Sequence, residues 1–200
     1  MVTAFLETFE TDGNTLNGGD RYTTSIAEFL TGSNRTENNQ VFTRSDDTDL
    51  DSIRGSFTGN DGTWFAVSDF DGNGNNAATA TMEFTGIDIS GLTDLSFSGI
   101  FAEFNPTNGR NHWDADSQVF FEVSIDGGAY TKIMQFASDR ATGNNRPAEI
   151  DTNLDGVGDG ARLTRDFATF SSDITGTDST LPDFQCEVQH PSTGVIPVGC

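Results

Sequence analysis

Residues 119–136 read Val-Phe-Phe-Glu-Val-Ser-Ile-Asp-Gly-Gly-Ala-Tyr-Thr-Lys-Ile-Met-Gln-Phe, and this stretch decides the fold. Val119, Phe121, Val123 and Ile125 recur at every second position, the period with which a β-strand turns one face to a core. Asp126-Gly127-Gly128 follows with residues that accept positive φ, and a second run, Tyr130–Phe136, begins at once. That order predicts a β-hairpin.

Working outward, the same grammar recurs. Ala77–Phe84 sets Ala78, Ala80, Met82 and Phe84 against Thr79, Thr81 and Glu83, giving a strand with one core face. Leu95–Phe104 is apolar on both faces, with Leu95, Phe97 and Phe101 opposed by Ile100, Ala102 and Phe104, as in a central strand covered on both sides. Gln40–Arg44, Ser52–Thr58 and Thr63–Ser68 are short runs separated by Asp-rich or Asn-Asp-Gly punctuation. Leu163–Ile174 and Phe184–Gln189 add two more, and Ala4–Phe9 reads as the first strand. Tyr22–Leu30 fits a strand or a helical turn equally, and no long amphipathic helix is predicted. Short strands with Gly, Asn and Asp turns indicate an all-β chain, a two-sheet antiparallel β-sandwich of jelly-roll type in a single domain over residues 1–200.

Thirty-one acidic residues against ten basic ones give a formal charge of -21, and Lys132 is the only lysine. Such a field repels polyanions, which argues against nucleic-acid binding. The 17 phenylalanines supply the core volume that 34% hydrophobic content alone would not, so the acidity does not signal disorder. No apolar run is long enough for a membrane helix, and residues 1–20 lack a basic n-region and an apolar h-region, so a secreted form of this chain is expected to be a mature one. Cys186 and Cys200 allow one local disulfide and leave the redox compartment open. Asn34-Arg35-Thr36 matches a glycosylation acceptor.

Asp151–Gly160, read DTNLDGVGDG, places oxygen-bearing side chains at alternate positions, Asp151, Asn153 and Asp155, then turns at Gly156 and offers Asp159. Oxygen donors spaced around a glycine suit Ca2+, a hard cation; a solvated Asp/Gly turn is the alternative. Arg162 stands where an EF-hand needs its bidentate Glu, so the loop is not half of an EF-hand. A second candidate metal cluster is Asp69, Asp71 and Asn73 with Glu10 or Glu7 from the first strand, and Asp114 with Asp116 is a third. Asn105–Asp116 is a polar stretch in which Arg110, Asn111, Trp113 and Asp114 form a candidate ligand-binding loop. An exposed indole beside amide, guanidinium and carboxylate groups suits stacking on a sugar, whereas a buried Trp113 would plug the core. Trp64, inside a strand, reads as core.

Catalysis finds little support. Glu149-Ile150-Asp151 resembles the strand-borne acids of jelly-roll glucanases, but Asn153 stands where the next acid belongs, removing the general acid. His112 and His190 lack a recognisable Cys or Ser partner.

Taken in order, Glu7-Thr8-Phe9-Glu10, Trp64-Phe65, Asp69-Phe70-Asp71-Gly72, Phe84-Thr85-Gly86-Ile87-Asp88-Ile89-Ser90-Gly91-Leu92, Trp113-Asp114-Ala115-Asp116, Ile125-Asp126-Gly127-Gly128 and the Asp151–Gly160 loop resemble a jelly-roll module of large secreted bacterial proteins. That module occurs beside nuclease, lamin-tail, adhesin and carbohydrate-active domains. The likeness covers residues 5–180. It implies an extracellular, calcium-stabilised, non-catalytic module similar to carbohydrate-binding jelly rolls, with carbohydrate or a cell-surface polymer as partner and no membrane insertion. Leu181–Cys200, with Pro182, Pro191 and Pro197, departs from the closing strand of such modules. An edge left unfilled there would be a template for other copies of the chain, so self-assembly into a fibre or surface layer by strand addition is the second functional expectation.

Overall fold

The computed structural model describes residues 3–31, 40–50, 56–60, 62–68, 79–104, 113–140, 142, 146–174, 182–189 and 198–199. Its strands are β1 (Thr23–Thr24), β2 (Phe29–Thr31), β3 (Gln40–Ser45), β4 (Trp64–Ser68), β5 (Thr79–Phe84), β6 (Ser96–Phe101), β7 (Gln118–Ile125), β8 (Thr131–Ser138), β9 (Ala148–Ile150), β10 (Ala168–Asp173), β11 (Pro182–Gln189) and β12 (Val198–Gly199). A single helical turn, α1 (Asp47–Leu50), and a 3-10 turn at Thr15–Asn17 complete the described elements. The strands form two six-stranded sheets, ordered β1-β5-β11-β7-β8-β9 and β10-β6-β12-β4-β3-β2, with antiparallel pairing throughout both ladders.

The predicted hairpin is β7–β8. Asp126 and Gly127 take φ of 52° and 69°, and the Gly128 amide donates to the Ile125 carbonyl at 2.9 Å. Alternation then sorts the side chains. Val119, Phe121 and Phe136 turn inward, and the rings of Phe97 and Phe101 on β6 come from the other sheet to meet them. Phe97 lies 4.9 Å from Phe121, and Phe101 lies 5.2 Å from Phe121 and 4.9 Å from Phe136. These contacts make the fold a β-sandwich. Burying each such ring is worth about 1.5–3 kcal/mol, which is how a chain of modest hydrophobic content sustains one core. A smaller cluster covers the opposite face of the second sheet, where Trp64, 1% exposed, packs 5.8 Å from Phe57 and 5.3 Å from Phe167 beside Phe104. The second sheet is therefore buried on both sides there.

Several expectations need correction. Ala4–Phe9 forms no strand. The Glu7 carboxylate turns back to accept the Phe9 amide at 2.6 Å and pairs with Arg21 Nε at 2.7 Å, while Phe9 adopts a φ of 57°. Side chain-to-backbone bonding thus replaces strand pairing. Tyr22–Leu30 resolves into β1 and β2. Of Ser52–Thr58 only residues 56–58 are described; they form no strand, and Thr58 makes an isolated bridge to Asp166. Leu163–Ile174 contributes a strand only from Ala168, and Ala78 lies outside the described residues.

The largest correction concerns the C-terminal segment. β11 is a full central strand, pairing with β7 over Pro182–Gln189 and with β5 over Phe184–Gln189. Pro182 is tolerated because it is the first residue of its strand, where a missing N–H does least harm to the ladder. Val198 and Gly199 then enter the second sheet between β4 and β6. The sandwich is closed by the segment that departs from the module's closing strand, and the alternation read at Phe184–Gln189 is part of β11.

Candidate functional site

The Asp151–Gly160 loop leaves β9 directly. The Asp151 amide continues the sheet by donating to the Gln135 carbonyl at 2.8 Å, and its carboxylate, on a residue 2% exposed, faces the loop interior. There Oδ2 accepts the Gly156 N–H at 2.6 Å and Oδ1 the Asp155 N–H at 3.3 Å. Asn153 Oδ1 accepts the Asp155 amide at 3.1 Å, Asp155 Oδ1 accepts Val157 N–H at 3.0 Å, and Asp159 Oδ1 accepts both the amide and the hydroxyl of Thr152, at 2.8 and 2.9 Å. Asn153 and Asp155 therefore form Asx turns, while Asp151 and Asp159 tie the loop together across longer spans. They also hold Leu154 at a φ of 61°, a conformation that costs an L-residue about 1–2 kcal/mol, with Gly156 beside it at 95°. The far limb packs flat against β8 and β9. A Cβ on Gly158 would sit 2.7 Å from the Ala137 carbonyl oxygen and 2.8 Å from Glu149 Cβ, so only glycine permits the approach.

Charge follows this bonding. The Thr152 amide, then its hydroxyl, holds the Asp159 carboxyl below the usual aspartate range. Burial, then the nearby charge of Asp139, pushes the Glu149 carboxyl up, with Arg162 opposing. As a donor set Asp151, Asn153, Asp155 and Asp159 are all oxygen, the chemistry a hard cation takes. Among the described residues no three His, Cys, Asp or Glu side chains converge as a metal cluster.

The other expected site residues are placed as follows. Trp113 is fully buried in the main core and bridges Arg146 through both main-chain bonds, at 3.0 and 2.8 Å, so its indole is a core plug and not an exposed platform. Asp114 faces its own turn, its amide donating to Ser117 Oγ at 3.3 Å, and Asp116 is exposed. Glu10 Oε1 accepts the Thr63 amide at 3.1 Å, while Glu7 is committed to Arg21. Arg110, Asn111, Asp69, Asp71 and Asn73 lie outside the described residues.

A group that the sequence reading passed over is assembled on the outer face of the first sheet. Gln118, Phe120 and Glu122 alternate with the core residues of β7, and Phe120 stands in register with Gln135 on β8. Gln135 Nε2 donates to Gln118 Oε1 at 2.6 Å, and Lys132 Nζ donates to Gln135 Oε1 at 2.7 Å while sitting 4.3 Å over the Phe120 ring. From the hairpin, Tyr130, 37% exposed, reaches over the sheet so that its hydroxyl donates to Glu83 Oε1 on β5 at 2.6 Å. The Asp151–Gly160 loop forms one rim: a Cβ on Gly156 would lie 3.9 Å from the Gln118 amide nitrogen. Leu154, at the loop's tip, also lines an open groove of about 370 Å³ shared with Ile125, Lys132 and Asp173. The available signal was the outward half of the alternation, positions 118, 120 and 122, which is as regular as the inward half.

No protein-family model and no curated protein sequence matches this chain.

Proposed function

We propose that the protein is a non-catalytic binding module for carbohydrate or a cell-surface polymer, working outside the cell, and that the outer face of the first sheet is its contact surface. One observation carries this reading: a half-exposed aromatic ring, Tyr130, is tethered across the sheet by Glu83 and stands on the same face as the part-exposed amide of Gln118, which the buried Gln135 holds in place. A sugar offers an apolar ring face and equatorial hydroxyls, which an aromatic side chain and fixed amide and carboxylate groups match. The repeated crossing of the chain between sheets, from β4 to β5 to β6 to β7, supports a jelly-roll winding of the kind the sequence motifs suggest. Calcium belongs to the same reading. Asp151, Asn153, Asp155 and Asp159 would hold it through oxygen lone pairs not used by the loop amides, fixing the rim that touches Gln118.

Affinity electrophoresis through gels containing neutral and acidic polysaccharides, with calcium present, tests the proposal. Retardation by at least one polymer is expected, with Tyr130→Ala weakening it about tenfold, or 1.4 kcal/mol, and leaving the circular dichroism unchanged. No retardation by any polymer, or retardation indifferent to Tyr130→Ala and Gln118→Ala, overturns it.

A further inference from the structure

β11 and β12 come last among the strands in sequence, yet neither lies at a sheet edge. β11 sits between β5 and β7, and β12 between β4 and β6. Without them the first sheet divides into β1-β5 and β7-β8-β9, and the second into β10-β6 and β4-β3-β2. One segment therefore joins both layers, and every other described strand of the two sheets precedes it in the sequence. Until it docks, β5 and β7 face each other across a slot lined by unpaired main-chain N–H and C=O groups, which is a template for any matching strand.

We propose that Pro182–Gly199 is an exchangeable donor segment, and that two copies of this chain assemble by each filling the other's slots. The recognition needed is the antiparallel ladder itself, from Pro182↔Ile125 to Gln189↔Gln118 on one side and from Phe184↔Phe84 to Gln189↔Thr79 on the other. Those bonds are made by backbone groups identical in every copy, so the segment from a second copy satisfies them as fully as the chain's own. A closed exchange conserves every strand pair and costs mainly association entropy, so concentration sets the balance between the two forms. Assembly thus uses a strand that is normally filled, and needs no free edge. It stands independently of polymer recognition.

Register supplies the test. Cys186 is the Cα partner of Met82 in the β5–β11 ladder, so Met82→Cys in a Cys200→Ser background sets two thiols opposite each other. The full chain is refolded under reducing conditions at about 10 µM and about 1 mM, then oxidised, and its mass is read under denaturing, non-reducing conditions. Exchange predicts covalent dimers whose ratio to monomer rises steeply with refolding concentration, with peptide mapping placing the bond between position 82 of one copy and Cys186 of the other. Only intramolecular 82–186 bonds at both concentrations overturn the proposal, as do dimers lacking that bond. Should the double variant fail to fold, light scattering on the unsubstituted chain refolded at the same concentrations decides: monomer alone at the higher one overturns exchange, and a concentration-dependent dimer with unchanged circular dichroism supports it.

Discussion

Replacing Asp151 by alanine separates two accounts of what orders the Asp151–Gly160 loop. In the structure the carboxylate works as an internal cap, with a short bond from Gly156 N–H at 2.6 Å and a long one from Asp155 N–H at 3.3 Å, on a residue 2% exposed. A hydrogen bond to a charged group is worth about 1.5–3 kcal/mol, and the longer bond adds little, so the loss should be about 2–3 kcal/mol. For a domain of this size that lowers the thermal midpoint by about 5–10 °C. The assay is calorimetry in excess chelator, where no divalent ion can contribute, with Asp155→Ala as the comparison because Asp155 is exposed and makes a single bond to Val157 N–H. Asp151→Ala should cost clearly more than Asp155→Ala. If in chelator the two are alike and small, while calcium raises the wild-type midpoint and not that of Asp151→Ala, then the ion orders the loop and the internal cap does not.

Three further outcomes are expected. Phe101→Ala removes a fully buried ring that spans the two sheets and should cost about 3–5 kcal/mol in urea unfolding; a loss below about 1 kcal/mol would mean that this ring does not join the layers. Burial raises the Glu149 pKa in the fold, so its charge penalises the native state as pH rises from about 4.3, the ordinary glutamate value, through the raised one. Glu149→Gln should therefore raise the midpoint at pH 7, with the gain vanishing at acid pH, and a gain independent of pH would refute the assignment. Asp159 has the opposite sign: its pKa is lowered by Thr152, so its contribution is present above the ordinary aspartate value of about 3.9 and is lost as pH falls through the folded value. Thr152→Val should shift the acid-unfolding midpoint upward, and an unchanged midpoint would show the hydroxyl bond to be idle.

Much of the candidate site was visible in the sequence as letters but not as roles. The Asp-x-Asn-x-Asp spacing of residues 151–155 marks oxygen donors at alternate positions; whether those oxygens face an ion or their own amides depends on backbone angles at Leu154 and Gly156 that no spacing specifies. Trp113 carried two readings, and the choice between them turned on its two-bond bridge to Arg146, a residue distant in sequence. Tyr130 looked like the start of a strand, whereas its reach to Glu83 exists only because β5 lies two strands from β7, with β11 between them.

Sequence alone determined most of the strand-forming runs, the hairpin at Asp126-Gly127-Gly128, the inward phenylalanines and the all-β class, because period-two burial and positive-φ turns are local properties of neighbouring residues. Tertiary structure alone decided that Glu7 would leave the ladder to bond Phe9 and Arg21, that Trp113 would be core, and that Pro182–Gln189 would occupy the centre of a sheet. The last two turn on which distant backbone supplies a partner, and a strand's hydrogen bonds carry no mark in its own sequence of the neighbour they will join.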